Sequence, residues 1–281
     1  GLTDLIWHAL TLRDHLWHKR DLTAKLAAIR SCPPGVATYP TGNHRQGWGT
    51  STDEIYHTGP SALLNSATRM EEQAEWLLKE RPAYLLSSPT NLKELAKYFI
   101  SNVLTLDGLK EVRAFSEALP NDLQGICKHA WNCQLVDIYS CREVGTIALQ
   151  CPTSGQYHIQ SESVYVEIID DNGKPCNEGD TGRVVITSLN NFATPLIRYD
   201  IGDQAEVGPA ICECGRGLPQ ITRILGRVRN MLALPDGSKI WTNLGYKEFG
   251  QVAPIRQYQV IQHTLKDIEM RLVTERSLTH N

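Results

Sequence analysis

The strongest constraint on what this chain can fold into is a change of texture at Tyr139. Before it, strand and helix signals alternate. Glu71 to Lys79 reads as a helix stopped at Pro82, and Tyr84 to Ser87 as a short buried strand. Ser88 then caps a helix that Pro89 begins and that runs to Tyr98 or Phe99. Val112 to Phe115 predicts a strand, Asn121 to Trp131 a helix and Gln134 to Tyr139 another strand. Such alternation argues for a largely parallel sheet covered by helices. After Tyr139 the pattern shifts to short strands at Thr146 to Leu149, Tyr157 to Gln160, Val164 to Ile169 and Arg183 to Thr187. Asp171-Asn172-Gly173-Lys174 supplies hairpin-turn chemistry between two of them. The expected fold class is therefore α/β, with an antiparallel β part attached to the α/β layer.

The flanks extend this reading. Leu2 to Ile29 predicts one long helix with Leu5, Ile6, Ala9, Leu12, Leu16 and Trp17 at helical spacing. His15 and His18 lie three apart on it and read as interfacial histidines rather than a metal pair. Ser31 to Gly59 is rich in Pro, Gly, Thr and Asn and reads as a long ordered loop. Beyond Arg229, Asn230 to Trp241 predicts a hairpin around Asp236-Gly237, and Gln257 to Gln262 and Ile268 to Thr274 predict strands. The implied division is a large domain over 1–228, with an α/β part to 139 and an antiparallel part from 140. A partial small α+β domain over 229–281 follows.

Bulk properties exclude several functions. The net charge is −3 and no basic block occurs, so nucleic-acid and membrane-surface binding lack support. No apolar run approaches the ~20 residues that cross a bilayer, and no signal peptide opens the sequence. The cytoplasm is the simplest location. Eight cysteines in 281 residues do not make a disulfide scaffold. Cys141 has no evident histidine partner and is a poor nucleophile candidate. Cys151 and His158, with Cys212 and Cys214, offer three thiolates and one imidazole, enough for a closed tetrahedral zinc shell. The alternative is four unrelated side chains on loops.

Function is most legible in PLIRYDIGD, Pro195 to Asp203. It reads as a strand from Leu196 that ends on Gly202-Asp203, where a carboxylate is positioned to accept from a sugar diol. YSCREVG (Tyr139 to Gly145) lies upstream, and RILGRVRNM (Arg223 to Met231) lies downstream. In order and spacing these segments resemble the adenylate-forming superfamily, and more narrowly the phenylacetate–CoA ligase family. RDHLWHKRDL near the start, YLLSSPTNLKELA from Tyr84, CECGRGLP from Cys212 and PIRQYQVIQ from Pro254 extend the resemblance over nearly the whole chain.

The resemblance implies an ATP-dependent acid–CoA ligase. It would form an acyl-adenylate and then a thioester, with an aromatic or arylacetic acid as its small-molecule partner. ATP/AMP, Mg²⁺ and coenzyme A are the implied cofactors, and family members often pair as homodimers. Tyr139 would pack along the nucleotide and Glu143 would hold Mg²⁺. Asp137 would accept from the adenine amino group, and Ser116-Glu117-Ala118 would form a shelf under the ring. Asp203 would take the ribose hydroxyls with Arg227, Arg223 would reach phosphate, and Arg229 would be the hinge between domains. Similar sequences also share the Cys151, His158, Cys212 and Cys214 positions, which favours a structural zinc.

The chain departs from the pattern in three places. Arg229-Asn230 stands where an acidic hinge residue is common. No Gly/Ser/Thr-rich phosphate loop precedes the first helix, and no late catalytic lysine appears. These departures predict weak nucleotide binding and no turnover by these 281 residues alone, an expectation that robust acid-dependent pyrophosphate release contradicts. Two other readings remain open: an adenylating enzyme with a different acceptor, whether a cofactor hydroxyl or a carrier protein, and a catalytically inactive, zinc-stabilised scaffold.

Overall fold

The computed structural model describes residues 1–227, 231–241 and 255–274. They fall into two compact units, Gly1–Gly226 and Arg227–Asn281. In the first, α1 (Leu2–Trp17) leads to β1 (Leu26–Arg30), β2 (Asn43–Arg45), α2 (Thr50–Asp53), β3 (Ser61–Asn65) and α3 (Met70–Glu80). Next come β4 (Tyr84–Ser87), α4 (Pro89–Ser101), β5 (Glu111–Ala114), α5 (Leu123–Trp131) and β6 (Gln134–Cys141). β7 (Gly145–Gln150), β8 (Tyr157–Ile159), β9 (Val164–Ile169), β10 (Thr181–Ser188), β11 (Tyr199–Val207) and β12 (Gln220–Arg227) complete the series. All twelve strands join one sheet in the order β2-β3-β1-β4-β5-β6-β7-β8-β12-β11-β10-β9.

The texture change at Tyr139 has a direct structural counterpart in β6. Its first half, Gln134 to Asp137, pairs with β5 in parallel, and its second half, Ile138 to Cys141, pairs with β7 antiparallel. One strand thus closes the α/β layer and opens the antiparallel part. Each side has its own core. Ile29, Leu64, Leu85, Leu92, Phe99 and Val112 lie in the first, between the parallel strands and α3 to α5. Tyr139, Ile147, Val164, Val184, Ile186 and Ile221 lie in the second. Local signals act as read at α4, where Ser88 caps the helix, accepting from Asn91 N at 3.5 Å, and Pro89 fills its first turn.

Two expectations at the N-terminus need correction. The helix ends at Trp17, not Ile29, because Lys19 turns the chain with φ of 50° and Leu26 to Ile29 enter β1. A strand paired on both sides and buried shows no period-2 alternation, so its apolar run passes for helix. The segment from Ser31 to Gly59, expected as a long ordered loop, contains two regular elements, β2 and α2. β3 was not anticipated either.

α1 buries charge as well as apolar side chains: Leu10 and Leu12 are buried beside Asp14 and His15. Leu5 and Leu16 are exposed. Asp14 Oδ2 accepts from Arg20 Nη1 at 2.7 Å and from Arg113 Nη2 of β5 at 2.5 Å. Arg20 Nε also donates to Glu111 Oε1 at 2.6 Å. His18 Nδ1 lies 3.0 Å from the Asp14 carbonyl and 3.3 Å from its Oδ1. The histidines are interfacial, as expected, and the acid beside them is committed to arginines.

Burial first, then the Arg113 and Arg20 guanidiniums, push the His15 imidazole down to about 2. Asp14 acts in the opposite sense on it and is outweighed, while His18 adds to the lowering. The folded state therefore keeps His15 neutral while the unfolded chain takes up a proton below about pH 6.5. This contribution is intact above that pH and is lost at about 1.4 kcal/mol per unit as pH falls. Between pH 6.5 and 5, urea denaturation should show wild type losing about 2 kcal/mol more than His15→Gln. Parallel curves for the two proteins would refute this.

The second unit contains β13 (Met231–Ala233) paired antiparallel with β14 (Lys239–Trp241), and β15 (Ile255–Gln262) paired antiparallel with β16 (Ile268–Thr274). Gln262 links the pairs, its side chain bonding both N and O of Ala233 at 2.8 Å. Among the described residues no helix is long and apolar enough to cross a membrane.

Candidate nucleotide site and metal cluster

Period-2 geometry puts Asp137 and Tyr139 on one face of β6. Both are buried. Tyr157 of β8 donates its hydroxyl to Asp137 Oδ2 at 2.8 Å, and Tyr139 donates its own to Asp203 Oδ2 of β11 at 2.9 Å. Two Tyr–Asp pairs thus tie β6 to β8 and β11 across the antiparallel core. Burial pushes the Asp137 carboxyl up to about 6 against the lowering effect of the Tyr157 and Ile138 hydrogen bonds. Its Oδ1 is buried with no hydrogen-bond partner.

Asp203 reaches this face through a break in the ladder. β10 and β11 pair as Val185 with Asp200 and as Arg183 with Gln204. Val184 therefore faces three residues, Ile201, Gly202 and Asp203. Gly202 makes the bulge with φ of 77°, a conformation that disfavours a β-carbon. β11 begins at Tyr199 rather than Leu196. Arg198, at φ of 49°, precedes it, and Ile197 is exposed.

The other candidate residues are placed as follows. Glu143 is exposed on the turn between β6 and β7. Ser116 follows β5 with φ of 64°. Glu117 caps α4, its Oε2 accepting from Thr90 N at 3.0 Å and Thr90 Oγ1 at 2.5 Å. Ala118 beside it is exposed. Arg223 is largely exposed and pairs with Glu206 of β11 at 2.8 Å, so its guanidinium is engaged. Arg227 closes β12 and opens the second unit. Arg229 lies outside the described residues.

On β8, successive residues face opposite sides. Tyr157 meets Asp137, and its neighbour His158 meets thiols, with Nε2 3.2 Å from Cys214 Sγ. Cys151 Sγ lies 3.9 Å from Cys212 Sγ. The ligand atoms of Cys151, His158, Cys212 and Cys214 all lie within 4.8 Å of one another. Cys151 follows β7 in a turn closed by Gly155 N to Cys151 O at 2.9 Å, and Cys212 heads a second turn closed by Gly215 N at 3.0 Å. Burial disfavours the Cys151 thiolate, but hydrogen bonds from Ser154, Thr153 and His158 bring it down to about 5. Three soft sulfurs and one imidazole nitrogen at this separation fit tetrahedral Zn²⁺ with no position left open.

Sequence reasoning missed Tyr157, Trp17 and Arg216. Trp17 of α1 packs edge-on to the His158 ring at 5.8 Å, and the Arg216 guanidinium lies 4.3 Å from the Trp17 ring centroid. The only advance signal for Tyr157 is its position next to His158 in a strand. Trp17 and Arg216 gave none, because their encounter is long-range.

Comparison with known proteins bears on this geometry. The phenylacetate–coenzyme A ligase of Thermus thermophilus is 24% identical over 267 residues, 90% of this chain and 59% of that protein. That of Pseudomonas putida is 25% identical over 182 residues, 63% of this chain and 41% of that protein. This chain is a homologue of the phenylacetate–CoA ligases. Its fold is that of the adenylate-forming acyl-CoA ligases. A 2-hydroxyisobutyryl-CoA ligase in the postadenylation state superposes with a TM-score of 0.69 at 18% identity, over 95% of this chain and 58% of that one. An anthranilate CoA ligase bound to anthranoyl-AMP gives 0.62 at 16% identity, over 98% and 54%. No family model matches. The chain spans about three fifths of the length of the Thermus phenylacetate–CoA ligase.

Proposed function

We propose that the protein to which this chain belongs is a cytoplasmic, ATP-dependent acid–CoA ligase that forms an acyl-adenylate and then a thioester. The observation that carries this reading is the Tyr139–Asp203 hydrogen bond, which joins two residues of separate nucleotide-site motifs on one buried face. In the proposed reaction Tyr139 lies along the nucleotide, and Asp203 accepts from the ribose. Asp137 offers its unpartnered Oδ1 toward the adenine amino group, above the shelf at Ser116, Glu117 and Ala118. Arg227 assists at the ribose, and Arg223 turns from Glu206 to phosphate. Glu143 is exposed and supplies the single carboxylate that Mg²⁺ needs when phosphate oxygens complete its shell. Mg²⁺ held by Glu143 would supply charge neutralisation at the phosphates.

Domain motion about Arg229 would then exchange adenylation for thioester formation. Cys151, His158, Cys212 and Cys214 hold a structural zinc that fixes two turns of the antiparallel part. The acid is aromatic or arylacetic in this proposal, which rests on the phenylacetate–CoA ligase homologues. The relatives with solved structures include ligases of hydroxyisobutyrate and anthranilate. Pairing into a homodimer belongs to the same proposal.

The test is ATP–pyrophosphate exchange by the complete gene product with a panel of aryl and alkyl acids. Exchange that depends on an aryl or arylacetic acid, followed by CoA-dependent AMP release, is expected. Absence of exchange with every acid would favour the inactive scaffold. Exchange with AMP release driven by another acceptor would replace the CoA step.

A further inference from the structure

We infer that Trp17 of α1 is a positioning residue for the metal ligand His158, so that metal binding and the seating of α1 are coupled. The inference rests on the zinc reading of Cys151, His158, Cys212 and Cys214 and adds to it a role for a helix that supplies no ligand. His158 turns Nε2 to the thiols, 3.2 Å from Cys214 Sγ. Its Nδ1 is buried and has no hydrogen-bond partner among the described residues. A metal-bound imidazole is normally aimed by an acceptor on its second nitrogen. Here that acceptor is missing, so packing has to limit the rotation of the ring. Trp17 provides it, with ring centroids 5.8 Å apart and planes at 85°, an edge-to-face contact.

Trp17 is itself held from the metal side. Arg216 lies two residues beyond Cys214, and its guanidinium sits 4.3 Å from the Trp17 ring centroid, within cation–π range. Gly215 between them has φ of 76°, which turns the chain back toward α1. α1 also reaches the main chain of His158. Arg13 Nη1, which pairs with Glu162, donates to Gln160 Oε1 at 2.8 Å, and Gln160 Nε2 donates to the His158 carbonyl at 2.8 Å. Gln160 is wholly buried. One helix thus restrains both the ring and the backbone of one ligand, and the turn that carries two others grips that helix in return. Such coupling is reciprocal: what the seating of α1 contributes to metal affinity, bound metal contributes to the seating of α1.

The experiment measures the zinc affinity of the complete gene product by competition with a chromophoric chelator, and the absorption of its cobalt(II) form. Wild type is compared with Trp17→Leu, Trp17→Phe and Arg216→Ala, and hydrogen–deuterium exchange of wild type is followed before and after chelation. Trp17→Leu should weaken zinc about tenfold, the low end for loss of a group that orients a ligand, and should shift the cobalt bands as the imidazole turns. Trp17→Phe keeps an aromatic edge and should stay within about threefold of wild type. Arg216→Ala should weaken zinc in the same direction, and it carries the test where Trp17→Leu does not fold. Chelation should speed exchange in α1 more than in α4. Zinc affinities and cobalt spectra of Trp17→Leu and Arg216→Ala that match wild type would overturn the inference and leave the metal site standing. So would Trp17→Phe as weak as Trp17→Leu, or exchange in α1 that ignores chelation. A wild type that takes up no zinc would overturn the zinc assignment and this inference together.

Discussion

Asp14→Ala is expected to lower the stability of the first unit by about 3–5 kcal/mol, because it strands the buried Arg113 guanidinium and removes one of the two carboxylates that hold Arg20. Arg113 Nη2 and Arg20 Nη1 both depend on Asp14 Oδ2, and both side chains are almost wholly shielded from water. Against a total of roughly 5–15 kcal/mol for a typical domain, such a loss removes a large share of the margin. Urea denaturation at pH 7 reads it directly. The cost arises from uncompensated charge, not from lost packing. Replacing Asp14 and Arg113 together with apolar residues of similar volume should therefore recover part of the loss. If the double replacement is as damaging as the sum of the single ones, the electrostatic account is wrong.

The second large effect concerns the metal. The purified protein is expected to carry one equivalent of zinc, and Cys214→Ser or strong chelation should remove it. Structural zinc contributes about 10–16 kcal/mol of binding free energy in small peptides, so losing even a fraction of that exceeds most point mutations. Melting temperature should fall sharply, and the Trp17 fluorescence spectrum should move. Trp17 reports because it lies between His158 and Arg216, where loosening of either turn alters its surroundings. Metal analysis by mass spectrometry gives the stoichiometry. A protein that contains no bound metal as purified, or one that melts and fluoresces identically after Cys214→Ser, would remove the zinc assignment.

The sequence disclosed local order well and long-range order poorly. β4, β9 and β16 fall where their residues predicted, because turn residues or prolines bracket short apolar runs. β1 was hidden for a physical reason: a doubly paired parallel strand shows no alternation, and a helix stands immediately before it. β2 and β3 were hidden by the polar, turn-rich composition around them. The site shows the same division. The sequence marks Gly202-Asp203 as the end of a strand, but β11 runs on to Val207 and the pair forms a bulge inside it, so its aim at Tyr139 requires the pairing of β10 with β11. The buried cluster of Asp14, Arg20, Glu111 and Arg113 gave no warning either. Its members are ordinary charged residues until α1 lies on β5.

Because β6 changes partner type at its midpoint, the chain offers no clean place to cut where its character changes. Severing it between Tyr139 and Ser140 would bisect a strand and leave each fragment with a raw hydrogen-bonding edge. Such edges recruit foreign strands, so fragments made there face aggregation rather than independent life. The antiparallel half has no first strand of its own, which makes its inheritance by another protein as a free-standing module implausible.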